Sequence, residues 1–578
     1  MDRAAQGFVD KYTRPDGTLI WRTEWPGMDG SDDAYESFVS FPLFYLLGGS
    51  EHVHNLARRE WDAVTRQFTQ LGQVYREFDA YYDWMHHGES YTYLHYLGLA
   101  NPRHEIDRMR ALRFAAMYTG NDPEAPNWDA ELKMIRSPIN GSRGPRFSMS
   151  AEDWVTHRPI LADYLSPYED VPGFPLTDPL GKLNWNDDAT FAAILKLMNE
   201  RMAPGDVPLN LDATSLIASA FMYTEDERYR QWVLDYLGAW DERTRRNGGI
   251  MPDNIGPSGR TGEQMNGKWW GGYYGWRWPH GAWIILESTL IAGENATLLS
   301  GNPAWLDLHR SQRDLIWSLR REDDGVLTVP ARHGDQGWFD YRPLGTARDY
   351  IHTWFLSHSA VDLARLQERF PSWETWRDDE RFSKAGSHAP QGWFAFVQGK
   401  NPDYPGQALD NTYAAMCRRL DAIDADDLST VAERDVHHWQ NLNPVVPEAL
   451  IQMAMGTPGA AYQGGLLHAA VRYFDLQARR PGLPPHVAAL VESITGESVD
   501  LTLVNTDTLA THEVIVQAGA FGEHEITAAQ RQDAPEGAPP VAVHGKHLNV
   551  RLAPSAQARL HLGLKRFAHR PTYGFPAF

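Results

Sequence analysis

From about residue 30 to residue 480, apolar positions recur every three or four residues with polar ones between them, the period of helices that bury one face. The pattern predicts helices over 32–47, 51–71, 89–99, 103–119, 188–202, 212–223, 225–246, 280–292, 303–321, 348–369, 407–420, 446–455 and 460–475. Ser31, Asp32 and Asp33 form a cap ahead of the first, and Gly48 and Gly49 end it. The second starts at once, so the two read as an antiparallel hairpin. Short links and no alternating strands predict an all-α body.

A glycine turn followed by a short apolar run occurs at 16–20, 248–252 and 324–330, and the last two follow arginine-ended helices, as the helix dipole favours. Hairpins that cannot bury a face alone stack, and about six pairs close into a ring. Near residue 480 the period changes. The segment 480–485 reads as a stiff Pro-Gly linker. Beyond it β-branched alternation predicts strands at 491–495, 499–504, 513–517, 523–527, 548–552 and 558–564, with turns at Glu536–Gly537 and at 544–546. The expected fold is mainly α: an (α/α)6 toroid over residues 1–480, then a C-terminal antiparallel β-sandwich over 486–578. The closing segment, 565–578, is expected to pack back on the body.

Charge narrows the partners. The 578 residues carry 54 Lys and Arg against 75 Asp and Glu, a formal net charge of −21 with no basic run, so no nucleic-acid partner is expected. No stretch approaches the ~20 apolar residues of a membrane span, and no membrane partner is expected. Cys417 is the single cysteine, which excludes an intramolecular disulfide and any multi-cysteine metal site. The first residues lack an apolar signal segment, so the chain as written is expected in the cytoplasm, or in the periplasm or secreted if a leader precedes it. Homo-oligomer formation stays open.

Aromatic residues carry the chemistry. There are 22 Trp, 24 Tyr and 22 Phe, clustered beside Gly, His, Asp and Arg. Flat rings mixed with polar groups suit sugars, whose C–H faces stack while their hydroxyls bond. Three segments interrupt the helical pattern. The first, 79–91, offers His86, His87 and Glu89, with Glu89 near a helix start. The second, 248–280, is too long and ring-rich for a plain connection and offers Asp253, Asn254, Lys268, Trp269, Trp270, Tyr273, Tyr274, Arg277 and His280. Arg277 between two Trp could hold an anionic group, or pair with an internal acid. In the third, 184–190, Asp188 is expected to cap the following helix, leaving Asp187 free to face a pocket.

Hydrolysis of a sugar bond needs two carboxyls, and their separation sets the stereochemistry. Elimination from a uronate needs a Tyr or His base and a group that neutralises the sugar carboxylate. The same loops can supply either. His86 and His87 with Glu89 do not form a zinc-binding HExxH pattern, and no phosphate loop, dinucleotide fingerprint or nucleophile elbow occurs, so no metal and no cofactor is expected.

The helix count, the glycine-turn repeats, the junction near 481 and the segments 81–89 and 266–280 resemble a carbohydrate-active (α/α)6 toroid with a β-sandwich, most similar to glycoside hydrolase family 154. That resemblance implies a β-glucuronidase acting on an oligo- or polysaccharide that carries glucuronic acid. The family's catalytic motif is not matched to positions here. The expected site is therefore Glu89 and Asp253 as the carboxyl pair with Asp187 in reserve. His86, His87, Asn254, Lys268, Trp269, Trp270, Tyr273, Tyr274, Arg277 and His280 are expected to bind the sugar. A polysaccharide lyase of the same architecture and a non-catalytic glycan-binding protein are the alternatives.

Overall fold

The structure, a computed structural model, describes residues 1–378, 388–533, 535 and 539–577. The turn expected at Glu536–Gly537 and the terminal Phe578 lie outside them.

Among the described residues, twelve helices build the ring as six pairs. They are α1 (Ser40–Leu47) with α2 (Glu51–Leu71), α3 (Trp84–Ala100) with α4 (Glu105–Tyr118), and α5 (Ala213–Thr224) with α6 (Glu227–Arg246). The other three are α7 (Ala282–Ser300) with α8 (Asp307–Ser318), α9 (Arg348–Ser357) with α10 (Ala360–Arg369), and α11 (Tyr404–Ala425) with α12 (Glu448–Met455). Within each pair the helices pack on one another. Around the inside, α1 packs on α3, α3 on α5, α5 on α7, α7 on α9, and α12 on α1. The short helix Gln391–Val397 bridges α9 to α11 and closes the circle. This is the (α/α)6 toroid.

Burial sorts the two layers. α3 and α7 are buried almost all round, as a helix enclosed on every side must be, whereas α2, α6 and α10 bury a single stripe. Two predicted helices are each broken in two. The first divides into Ser31–Glu36 and α1, and 348–369 divides at His358, whose left-handed backbone ends α9 before Ser359 caps α10. The run 460–475 is no helix: an extended loop crosses the ring interior and then becomes a strand.

That strand, β4 (Val471–Asp475), opens the sandwich, after β1 (Arg321–Asp323), β2 (Val326–Gly334) and β3 (Gly337–Pro343) form a three-stranded sheet within the helical region. The remaining strands of the sandwich are β5 (Arg480–Pro481), β6 (Val487–Ile494), β7 (Ser498–Asn505), β8 (His512–Ala518), β9 (Glu525–Arg531), β10 (Val541–Gly545), β11 (His547–Leu552) and β12 (Gln557–Lys565). One sheet runs β6-β7-β12-β9-β10 and the other β11-β8-β4-β5, every pairing antiparallel. Instead of a free linker, Arg480 and Pro481 pair with β4, and the Arg480 guanidinium donates to the carbonyls of Tyr45 and Gly49. The tail returns to the ring: the Tyr573 amide donates to the Met222 carbonyl, and its hydroxyl meets Ser219 at 3.0 Å.

Candidate active site

The helix Ser31–Glu36, α3 and α7 all begin around one hollow of about 180 Å3 at the ring's mouth. That is below the ~300–1,000 Å3 of drug-sized pockets, so it suits one sugar residue. Its acids are Asp29, Asp32, Asp33 and Glu89; its rings include His86, His157, Tyr164, Tyr273, Tyr274, His280 and His437.

α3 begins at Asp83, not near Glu89. Asp83 Oδ1 accepts from the amides of Met85 and His86, capping the helix, and also meets His86 Nδ1 at 2.8 Å. Its other oxygen accepts from the Tyr273 hydroxyl at 2.9 Å. Burial works against charge on both groups, yet their mutual attraction holds the Asp83 pKa below the usual carboxylate value and the His86 pKa well above the usual imidazole value. Tyr82 stacks flat on His86 at 4.0 Å and fixes the ring plane. The other edge of His86 is thereby left to the hollow.

Asp32 is 1% exposed and accepts a bond from the Gly30 amide at 3.2 Å. Burial first, then the charge of Asp33, pushes its pKa well up, so this carboxyl is protonated where an ordinary aspartate is not. One side-chain atom each from Asp32, His86 and Glu89 lie within 4.8 Å of one another, and Asp29, Asp32 and Asp33 form a second such group. Only the second, all-carboxylate set has the oxygen donors that a hard cation takes. Asp29 accepts from the Tyr82 hydroxyl at 2.9 Å, while Asp33 takes a bond from Gln440 and faces His437 Nε2 at 3.3 Å. Burial lowers the pKa of His280 to about 4, so its imidazole is neutral.

Of the residues expected from sequence, His86, Glu89, Tyr273, Tyr274 and His280 meet here. The others do not line the hollow. Asp253 is wholly enclosed: it accepts from the amides of Gly271, Gly272 and Trp276 and from the Asn254 side chain, tying the glycine-rich loop into a knot. A Cβ on Gly272 would sit 2.0 Å from the Asp253 carbonyl oxygen, and one on Gly275 2.2 Å from its Oδ2, so those glycines serve this carboxylate. Asn254 holds Lys268 O and the Gly262 amide in the same knot. Asp187, not Asp188, caps its helix, accepting the Thr190 amide at 2.8 Å, while Asp188 lies exposed beside Arg158. His87 is buried between Asp79 and the Asn140 carbonyl. Lys268 pairs with Asp335 at 2.6 Å, and Trp270 bonds that same carboxylate. Trp269 packs against His333 and Trp338. Arg277 is paired internally with Glu169 at 2.7 Å and with the carbonyls of Ser166 and Pro179, so it has no bidentate face to offer a sugar acid.

Sequence reading missed Asp29, Asp32 and Asp33 because a Ser-Asp-Asp run before a helix is explained by capping alone. Four buried acids between 29 and 36 were the available signal.

Fold and site together define a toroid of paired helices with a sugar-sized, acid-lined mouth. The chain belongs to the family described as Domain of unknown function (DUF8034), which matches residues 1–325 and 318–451. No curated protein matches it. Among solved structures it is similar to a D-mannose isomerase, 9% identical over 65% of this chain and 85% of that one, with a TM-score of 0.35. A cellobiose 2-epimerase from Bacillus thermoamylovorans B4167 is 11% identical over 61% and 95% at 0.24, and a sugar epimerase from a ruminal bacterium 9% over 62% and 96% at 0.23. Overlaps this loose leave the chemistry to the site itself.

Proposed function

We propose that this protein is a glycoside hydrolase that seats a terminal sugar in the ring-mouth hollow. The observation that carries the proposal is the buried Asp32 carboxyl within 4.8 Å of Glu89 and of His86, the imidazole that Asp83 aims. Asp32 gives its proton to the leaving oxygen as Glu89 displaces it at the anomeric carbon; Asp32, now a carboxylate, then takes a proton from the water that cleaves the glycosyl–Glu89 ester, and the charged His86 stabilises the carboxylates between the two steps.

Release of β-glucuronic acid, the finer reading, would set the sugar's carboxylate among four acids, with His86 and His437 already paired to carboxylates. Arg277 and Lys268, which were expected to hold the sugar acid, are committed elsewhere. A neutral sugar is therefore the better fit. Among the described residues no arginine lines the hollow, which weighs against a lyase, since that reaction must neutralise the sugar carboxylate to acidify the C5 proton.

Nitrophenyl glycosides, including the β-glucuronide, test this. Phenol release from a neutral glycoside, cut about 10²–10⁴-fold in Asp32→Asn and Glu89→Gln, is expected. If every glycoside is inert while a uronate polymer gains ultraviolet absorbance or a free aldose is isomerised, the proposal fails.

A further inference from the structure

Beside the hollow lies a second cavity of about 520 Å3, within the size range of small-molecule sites, and His280 lines both. Its floor is apolar, from Leu286, Leu290, Ile316 and Val329. At its lip stands Trp283, 43% exposed, on a helix whose other residues from Ala282 to Leu299 are all buried. Nothing in the packing of α7 calls for a large ring in water at that position. Trp283 lies edge-on to His280 at 5.6 Å, and His280 lies in turn 5.6 Å from Tyr164 in the hollow, so rings run continuously from one space to the other.

The charge around the cavity is uneven. Arg313 is matched by Asp349. Glu287 spends its carboxylate on the amides of Tyr462 and Gln463. On the hairpin side, Arg332 and Arg342 share a single carboxylate, Asp340, at 3.0 and 2.7 Å, which leaves one positive charge in excess. Arg342 reaches well into solvent.

Resting on the hydrolase reading, we infer that this cavity is the leaving-group subsite and takes an aromatic group bearing a negative charge. The substrate class is then a glycoside of an acidic phenol or similar arene: the arene stacks on Trp283 over the apolar floor, and its anion faces Arg342, since Arg332 is held by Asp340 and the Arg277 carbonyl. Electrostatic complementarity favours this occupant over a second sugar, which would find few hydroxyl partners on the aliphatic floor.

Calorimetric titration of the full chain with naphthalene-2-sulfonate tests the site without catalysis. Saturable one-site binding is expected, weakened about fivefold or more by Trp283→Ala and likewise by Arg342→Ala. The neutral probe 2-naphthalenemethanol should bind more weakly and ignore Arg342→Ala. Asp32→Asn should bind the sulfonate as the parent does, so loss of hydrolysis and loss of this subsite are read separately. No saturable binding, or binding equal in both variants and the parent, overturns the inference; equal affinity for the two probes overturns its anionic part.

Discussion

The carboxylate of Asp83 both caps α3 and holds His86 Nδ1 at 2.8 Å, so one side chain starts the helix and aims the imidazole that the helix carries. Removing it should act through His86. Asp83→Asn is expected to keep the cap and lower kcat by about tenfold to a hundredfold, a loss of about 1–3 kcal/mol of transition-state stabilisation. The pH dependence of kcat should show the basic limb moving to lower pH as His86 loses its counter-charge. An unmoved limb would show that Asp83 only caps.

The same pair sets a stability slope. The folded-state pKa of His86 is raised, so its contribution is complete below the unfolded value, about 6.5, and fades as pH rises through the folded one. The pKa of Asp83 is lowered, so its contribution is present above about 3.9 and fades as pH falls through the folded value. Thermal melts should therefore decline on both sides of a plateau, and the alkaline decline should shrink in Asp83→Asn.

Asp32 works in the opposite sense. Its raised folded pKa means that the unfolded chain ionises first, so wild-type stability falls as pH climbs through about 4 towards the folded value. Asp32→Asn should melt higher than the parent at neutral pH while losing activity, the exchange expected where function keeps an acid buried. A variant that melts lower at pH 7 would contradict the burial argument.

One oxygen each of Asp32 and Glu89 lie within 4.8 Å, closer than the ~6.5–9.5 Å that leaves room for an inverting enzyme's water. Proton NMR of the first-formed sugar should show net retention of anomeric configuration. Inversion would remove Glu89 as the nucleophile.

Asp253 should prove structural. Asp253→Ala strands three buried amides and is expected to cost about 2–5 kcal/mol in denaturant unfolding, and Gly275→Ala should destabilise comparably although it removes no acid. Unchanged stability in both, with activity lost, would restore Asp253 as a reacting group.

The ring was legible because helical period, capping residues and glycine stops are local properties of the chain: the helices at 51–71, 103–119 and 225–246 follow from them, as does the change to alternating strands beyond 480. The break at 37–39 carried one signal, Pro42 in the first turn of α1, whose ring bars a continuous helix through residue 38; the break at 358 carried none, since no proline or glycine marks it and tertiary packing imposes the bend. The site divided in the same way. His86, Glu89, Tyr273, Tyr274 and His280 stood out as reactive types in a polar-aromatic setting. A capping Ser-Asp-Asp run and a catalytic acid look identical in sequence, however, and so do an arginine bound to an internal glutamate and one waiting for a substrate. Charge state and availability depend on burial and on partners brought from more than a hundred residues away, as with Arg277 and Glu169 or Asp83 and Tyr273. Helix period and strand alternation alone determined the fold class; closure of the ring decided which acids are buried together, because burial and distant partners set their charge.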